Sequence, residues 1–480
     1  MTKWEAFLVS RFAFRTSKGV RATTNTTRSH SHPNRNEKRE TPYAKRETPY
    51  AERGLPMSGR LRRLLARETP RQAGMLFSAQ TGGLAAGLLV SVIQARWMEP
   101  RELGRLAFCL SVLLIAGLFS ECGIFMAGSR LLALTRDQES ARKQLGALVT
   151  MAAAIGAVYS VVIALIAIPI DKFFETDVRW LLISASVPAF FQPFQMLTEQ
   201  ACQGLNQIRR LSVFQLLVSW SYVLMVSGLA FMGRLTAEAA LLAYLTGAGM
   251  AAVWTLARLQ PRFSDVRTNI RLTLHDVREY GLNIYLARIT GSALARFDSL
   301  VIGYFLGRSA AGLAPLGLYA IAQKMGNALV NLPRAVAITR FRSFANLTRI
   351  PERITRWNAA LLIAASTVLA LLGPIALRFA FPKYSDAAPL LTPFALLGLF
   401  AGLFQPYNAF LASHGRGAEL RNIAVSVTVA SLVGLILSVP RFGIMGAACT
   451  GAGAMALDYV LHLYYYRQFR RGISEASPPT

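Results

Sequence analysis

The sequence predicts an all-α polytopic membrane protein with about twelve transmembrane helices, and three observations lead to that prediction. Hydrophobic residues make up 53% of the 480 residues, charged residues only 16%, and the mean hydropathy is +0.37. The apolar residues fall in runs of about 20, the length at which a helix crosses a ~30 Å hydrocarbon core. Lys and Arg are distributed unevenly between the loops that join these runs, as in proteins with one cytoplasmic face.

Twelve runs are predicted to span the membrane, six in each half of the chain. They are 74–96, 105–128, 146–168, 180–202, 211–232, 238–258, 282–306, 314–338, 357–379, 387–411, 421–439 and 443–466. Prolines inside several runs predict bent helices, for example Pro188 and Pro193 in the fourth. Every odd-numbered loop is short, so the outer face has no room for a catalytic domain, and we expect that the protein is not an enzyme.

The net charge of +27 is concentrated on one side of the predicted membrane. The even-numbered loops and the C-terminal tail hold more Lys and Arg than the odd-numbered loops. The acids of the odd-numbered loops are Glu99, Glu102, Asp171, Glu175, Asp177, Glu238 and Asp386. The positive-inside rule therefore predicts that both termini lie in the cytoplasm. We interpret the basic loops 267–278 and 340–356 as topology determinants that touch anionic headgroups, not as a nucleic-acid site, because no folded domain surrounds their arginines.

Residues 1–73 are predicted to form a disordered basic cytoplasmic tail, since they contain too few apolar residues to form a core. The sequence Lys-Arg-Glu-Thr-Pro-Tyr-Ala occurs at 38–44 and again at 45–51. We expect that translation starts at Met57; a partner-binding tail is the alternative. The segment does not have the pattern of a secretory signal peptide.

The remaining chain divides into two predicted six-helix bundles, 74–259 and 282–467. A basic cytoplasmic linker, 260–281, joins them, and 468–480 form a second cytoplasmic tail. Because each bundle has an even number of spans, both would start on the same side of the membrane. Such halves are related by an axis along the membrane normal, and we expect a central cavity between them.

Two short matches between the halves support this division. Thr81-Gly82 of the first span recurs as Thr290-Gly291 of the seventh. Leu103–Ala107, at the start of the second span, recurs as Leu316–Ala320 at the start of the eighth.

Charged residues in the seventh span are the main candidates for a functional site. Each charge at the bilayer centre costs about 2.5–3.5 kcal/mol on insertion scales, which favours a wet or protein-lined setting. Arg296 lies eight residues after Arg288 and returns to within about 80° of the same helix face. Both are predicted to line the cavity, and for Arg288 a position that snorkels to the interface is the alternative. Asp298 points away from Arg296, and we expect it to meet Lys324 of the eighth span or to complete a polar network.

Three further residues are candidates for ion coupling or for structural pairing. Glu121 lies within the second span, and Asp458 and His462 form an i,i+4 pair in the twelfth. An acid beside a histidine can relay protons, but a packed hydrogen-bonded pair is an equal alternative. The cysteines have no metal-binding spacing, so no metal is predicted. They are Cys109, Cys122, Cys202 and Cys449.

The chain resembles polysaccharide-export flippases of the Wzx type, which belong to the multidrug/oligosaccharidyl-lipid/polysaccharide (MOP) exporter superfamily. The resemblance covers about residues 74–467. It is carried by Ala95–Gly104, Glu121–Gly123, Arg130, Phe297–Gly307, Gly317–Ala322, Tyr384–Leu391 and Pro440–Ala448.

This resemblance implies a V-shaped pair of six-helix bundles that flips a polyprenyl-diphosphate-linked glycan to the periplasmic leaflet of the cell inner membrane. It implies no cofactor apart from a coupling ion, H⁺ or Na⁺. The implied partners are the lipid-linked glycan, membrane lipids, and a glycan polymerase with other polysaccharide-assembly proteins. Arg296, Arg288 and Lys324 are the candidate ligands of the diphosphate, and Asp298 matches a recurrent acidic position of the family's seventh span.

Three alternatives stay open at this point. A drug or cation antiporter of the same fold would favour acidic residues in the cavity. A flippase for peptidoglycan precursors is expected to have about fourteen spans. A membrane-embedded glycan polymerase or transferase would need a large periplasmic loop or a cytoplasmic Asp-x-Asp metal site.

Overall fold

The computed structural model describes residues 59–476 except 136, 282–284, 286–296, 309–310, 332, 335–336, 338–343 and 345–346. In this part of the chain the regular structure is entirely helical, which confirms the predicted all-α class. Arg288 and Arg296 lie outside the described residues.

The helices are numbered in chain order. The first half contains α1 Gly59–Trp97, α2 Pro100–Ser120, α3 Ile124–Leu134, α4 Gln138–Phe174, α5 Arg179–Ala189, α6 Gln192–Gly204, α7 Ile208–Phe231 and α8 Ala237–Leu259. The linker contains α9 Val266–Asp276 and a π-helix Val277–Gly281. The second half contains α10 Phe297–Leu306, α11 Ala314–Ala328, α12 Glu352–Ala380, a 3₁₀ helix Pro382–Leu390, α13 Leu391–Leu403, α14 Gln405–Ser413 and α15 Gly417–Ala476.

These helices follow the predicted spans, with most of the seventh span outside the described residues. Seven described segments are long and apolar enough to cross a membrane. The last of them contains both final predicted spans, separated by a kink at Gly443. Helix α1 begins at Gly59, inside the segment assigned to the tail, and α15 continues past residue 467 to Ala476. The predicted bounds differ from these helix ends because hydropathy identifies only the apolar part of a helix. The backbone hydrogen bonds of the helix continue beyond that part.

Two predicted spans of the first half are broken helices. The second span is interrupted between α2 and α3, where Cys122 and Gly123 adopt positive φ values of 47° and 73°. A Cβ on Gly123 would lie 2.6 Å from the carbonyl oxygen of Gly281, so the π-helix packs closely against this break. The fourth span is broken between α5 and α6, next to Pro188 and Pro193, as the prolines predicted.

Helices α2 and α11 cross at the glycines of the internal repeat. A Cβ on Gly104 would lie 1.9 Å from the carbonyl oxygen of Leu313. A Cβ on Gly317 would lie 1.9 Å from the carbonyl oxygen of Pro100. Because the two contacts are reciprocal, the repeated segments occupy equivalent positions in the two halves, and only glycine permits this backbone approach.

The hydrophobic cores show where the halves meet and where they separate. One cluster combines side chains of both halves, among them Leu103 and Leu316. The other large clusters belong to one half each: one surrounds Phe125 in the first half, and another surrounds Phe410 in the second. The end of the molecule at which α2 and α11 begin is therefore the closed end. At the opposite end, called the open end below, the described apolar cores are separate, and Tyr285 of the second half donates to the carbonyl of Phe119 at 3.1 Å.

Polar contacts also join the halves at the closed end. Lys383 forms an ion pair with Glu99 at 2.5 Å, and Arg308 forms one with Glu175 at 3.5 Å. The hydroxyl of Tyr384 donates to the carbonyl of Met98 at 3.3 Å. The ion pairs are largely exposed, and such pairs each contribute about 0–1 kcal/mol. The glycine contact and the shared apolar core therefore provide most of the stabilisation of the closed end.

Candidate functional site

A cavity of about 490 Å³ lies between the two halves, next to the crossing of α2 and α11. Helices α1, α2, α7 and α8 form its wall from the first half, and α10 and α11 form its wall from the second. Its polar lining residues are Ser91, Gln94, Ser111, Tyr222, Tyr244, Ser299, Tyr319, Gln323, Lys324, Asn327 and Asn331. Among the described lining residues, Lys324 carries the only charge.

Lys324 is held by a hydrogen bond that crosses from the second half to the first. Its Nζ donates to Oε1 of Gln94 at 2.9 Å, and Nε2 of Gln94 donates to the hydroxyl of Tyr222 at 2.9 Å. Gln94 is only 1% exposed, so its amide is fixed between the two. An ammonium group has three donors, and within the described residues Lys324 uses one of them and forms no ion pair. Two donors are left for an anionic group in the cavity.

Asp298 is the acceptor in a network of hydrogen bonds beside the central cavity. Its Oδ2 accepts hydrogen bonds from the hydroxyl of Tyr319 at 3.1 Å and from Nε2 of Gln323 at 2.7 Å. Its Oδ1 accepts from the backbone N–H of Ser299 at 2.7 Å. Of the two settings predicted for Asp298, the structure shows the polar network and not the pair with Lys324. Lys324 follows Gln323 by one residue, about 100° around α11, and its Nζ contacts Gln94 and not the carboxylate.

Arg288 and Arg296, the other two predicted cavity cations, lie outside the described residues. Their place in the cavity stays a prediction. The same holds for a site in which three cations together bind a diphosphate.

Glu121 lies apart from the cavity, in the break between α2 and α3. It is buried and precedes Cys122 and Gly123, whose positive φ values form the break. Nearby, Arg130 of α3 forms an ion pair with Asp276 of the linker helix α9. These contacts attach the linker to the first half. A coupling role for Glu121 stays a prediction.

Asp458 and His462 form the predicted i,i+4 pair on α15, outside the described lining of the central cavity. Nδ1 of His462 lies 2.9 Å from Oδ1 of Asp458, and the imidazole stacks on Phe404 with ring centroids 5.0 Å apart. Both residues are buried, and Nε2 of His462 has no hydrogen-bond partner among the described residues. The geometry fits a packed pair; proton relay stays a prediction.

Sequence reasoning missed most of the neutral polar residues of the cavity. Asn327 and Asn331 follow Lys324 at positions i+3 and i+7 of the eighth span, which is the spacing of a single helix face. From that spacing the sequence could have indicated that both asparagines share the helix face of Lys324. Gln94 and Tyr222 gave no comparable signal, because each is a single polar residue within an apolar run.

Two helical halves that meet at one end around a central cavity define a membrane transporter or flippase. A family model described as "Polysaccharide biosynthesis protein" matches residues 71–336, which is more than half of the chain. The chain therefore belongs to this family. A comparison with curated protein sequences finds no match.

Solved structures with the same fold come from the MOP superfamily and from a lipid flippase. An inward-facing multidrug resistance MATE family transporter of the MOP superfamily has a TM-score of 0.63 at 14% identity, covering 84% of this chain and 99% of that chain. The lipid II flippase MurJ, in an inward closed conformation, has a TM-score of 0.64 at 12% identity, covering 82% and 87%. A MOP superfamily transporter from Pyrococcus furiosus, described as having a binding pocket of reverse polarity, has a TM-score of 0.50 at 16% identity, covering 84% and 95%. These similarities show that the chain has the fold of these transporters.

Proposed function

We propose that the protein moves a polyprenyl-diphosphate-linked oligosaccharide or polysaccharide precursor from the cytoplasmic to the periplasmic leaflet by alternating access. The observation that supports this proposal is the charge of the cavity, whose described lining has one cation, Lys324, and no carboxylate. The closed end then faces the periplasm, and both termini lie in the cytoplasm. The protein acts in the inner membrane beside a glycan polymerase and other assembly proteins of an O-antigen or exopolysaccharide.

The lining suits the chemical groups of such a substrate. The ammonium of Lys324 forms charge-assisted hydrogen bonds with a diphosphate, and these are about twice as strong as neutral ones. The amides of Asn327 and Asn331 offer both donors and acceptors to sugar hydroxyls. Leu84 and Leu88 of α1 line the cavity and are 40% and 49% exposed, so they offer an apolar surface to the prenyl chain.

Alternating access requires that the closed end opens. The contact of Gly104 with Gly317 and the ion pair of Lys383 with Glu99 would separate, while the halves approach at the open end. The exposed ion pairs cost little to break, because water replaces each partner. Most of the free-energy cost of opening comes from separating the shared apolar core. Substrate binding has to offset that cost.

A drug or cation antiporter is the second candidate, supported by the similarity of the fold to the MATE family transporter. A carboxylate in the cavity would favour a cationic substrate. The nearest described candidate is Asp298, which already accepts hydrogen bonds from Tyr319, Gln323 and Ser299. The cavity charge therefore favours an anionic substrate.

The experiment compares Lys324→Gln and Lys324→Arg in a strain that lacks the chromosomal gene. We expect Lys324→Gln to abolish glycan export and to leave lipid-linked glycan on the cytoplasmic side, while Lys324→Arg retains part of the activity. Arg421→Gln, a charge removed from an exposed position of α15, is the matched control and should export normally. Normal export by well-expressed Lys324→Gln contradicts the proposal, and loss of drug resistance without a glycan defect favours the antiporter.

A further inference from the structure

A second cavity, of about 520 Å³, lies at the open end of the first half. It is formed where α3 and α8 end and where α4 and α7 begin. Its lining includes Asp137, Arg142, Gln207, Arg210 and Arg258. None of them lines the central cavity, so this is a separate site.

The lining of the second cavity is positively charged. Arg142, Arg210 and Arg258 contribute three guanidinium groups from three helices, and the described lining has one carboxylate, Asp137. Asp137 is occupied as the N-cap of α4, where it accepts hydrogen bonds from the N–H and the hydroxyl of Ser140 at 2.9 and 3.1 Å. An excess of cations is therefore left at this cavity.

The three arginines differ from the basic residues beside them. Lys143 forms an ion pair with Asp265 at 3.1 Å, and Arg262 forms one with Glu139 at 3.1 Å. Among the described residues, the three cavity arginines form no ion pair. The neighbouring acids are used outside the cavity, which leaves the cavity cations for an external anion.

The start of α7 adds to the positive potential. The helix begins at Ile208, and its N-cap residue Gln207 makes no side-chain capping hydrogen bond. The first turn contains no acid, whereas it does contain Arg210. The N-terminus of a helix carries free N–H groups and about half a positive charge, so it binds anions. The uncapped helix end and the arginines are independent features that favour the same type of ligand.

The surroundings of the cavity indicate a ligand from the membrane. Arg258 lies over the ring of Trp254, with 5.2 Å between its guanidinium carbon and the ring centroid. Trp254 and Leu134 are both exposed on the outer surface. An exposed Trp beside an Arg is typical of the level of the lipid headgroups, where basic pockets between helices bind anionic lipids.

We propose that the second cavity binds the phosphoryl headgroup of an anionic phospholipid. Arg142 and Arg210 contact the phosphate in bidentate geometry, and the first N–H groups of α7 complete its coordination. An occupied site holds the open ends of α4, α7 and α8 together while the second half moves. The proposal does not depend on the substrate of the central cavity.

The test measures lipid binding to the purified full-length protein in neutral detergent. Phosphatidylglycerol is titrated, and bound lipid is counted by native mass spectrometry. The triple variant Arg142→Gln, Arg210→Gln and Arg258→Gln should bind it at least about tenfold more weakly, because it removes the three cations of the cavity. The control is a triple variant of exposed arginines of the second half, Arg349→Gln, Arg353→Gln and Arg421→Gln, which should bind like the wild type.

Two further arms identify the ligand. Zwitterionic phosphatidylcholine should bind weakly and without dependence on the three arginines, and inorganic phosphate should compete only at much higher concentration than the lipid. Asp137→Asn keeps the N-cap and removes the opposing charge, so it should tighten phosphatidylglycerol binding. The proposal is overturned by equal binding to the cavity variant and the wild type, by equal losses in both triple variants, or by tight phosphate binding without lipid binding.

Discussion

The ammonium of Lys324 donates a hydrogen bond to Oε1 of Gln94 across the boundary between the two halves, with 2.9 Å between the nitrogen and the oxygen. The contact joins α11 to α1 in the wall of the central cavity, at a point where Gln94 also holds Tyr222. Because a neutral amide and not a carboxylate holds the ammonium, the positive charge stays uncompensated within the described cavity. Within the described lining, the net positive charge therefore depends on an amide, and not a carboxylate, at position 94.

Gln94→Glu should abolish glycan export while leaving the protein folded. The new carboxylate would form an ion pair with Lys324 and remove the net charge from the described lining. Gln94→Met is the neutral control, which removes the hydrogen bond and keeps the positive charge. We expect at least about a tenfold lower export rate for Gln94→Glu than for Gln94→Met, the equivalent of about 1.4 kcal/mol of lost anion binding. Equal rates in the two variants would show that the cavity charge does not matter.

Asp298→Ala should destabilise the protein, because it leaves the buried hydroxyl of Tyr319 and the half-buried amide of Gln323 without their acceptor. Each unsatisfied donor costs about 1–3 kcal/mol. Asp298→Asn keeps one carbonyl oxygen as an acceptor and should therefore lose less stability than Asp298→Ala. Thermal unfolding in detergent measures the stability of both variants. An Asp298→Asn protein of wild-type stability that has lost export would instead assign Asp298 to ion coupling.

The sequence predicted the helical fold well, because lipid allows few alternatives. In a membrane, backbone groups must be satisfied within helices or closed barrels, so apolar runs of about 20 residues suffice to identify spans. The repeat at Gly104 and Gly317 was also informative, since the structure brings these two glycines into contact. The ends of α1 and α15 were less predictable, because they extend into water, where hydropathy carries no signal.

The candidate site was predicted only in part, for a reason that Lys324 and Asp298 illustrate. The sequence indicated that both belong to polar surroundings within the membrane, and the structure places Lys324 in the cavity wall. The partner of each depends on the rotation and depth of neighbouring helices, which a single sequence does not specify. Gln94 as the partner of Lys324 was therefore out of reach, although both residues were visible as polar positions in apolar spans.

Lowering the pH should weaken the start of α4 through the N-cap Asp137. The backbone N–H and the hydroxyl of Ser140 stabilise the carboxylate, so the pKa of Asp137 lies below its usual value of about 3.9. With the pKa lowered in the folded state, the stabilisation is fully present above that usual value and is lost as the pH falls through the folded-state pKa. Asp137→Asn keeps the cap without this titration. The difference in unfolding temperature between wild type and variant should therefore change only in acid; a difference that is constant with pH would contradict the assignment.

Alanine at Gly104 or Gly317 should prevent the closed end from closing. The added Cβ would lie 1.9 Å from a backbone carbonyl oxygen of the other half, so the helices must separate. Overpacking of this kind costs about 1–3 kcal/mol. Crosslinking of Glu99→Cys to Lys383→Cys with a short bifunctional thiol reagent, at positions whose native side chains form an ion pair, reports closure. We expect its yield to fall in either alanine variant and to stay unchanged in Gly228→Ala, where a Cβ has no atom within 4 Å. An unchanged yield in Gly104→Ala and Gly317→Ala would show that the close crossing of α2 and α11 does not control this end of the molecule.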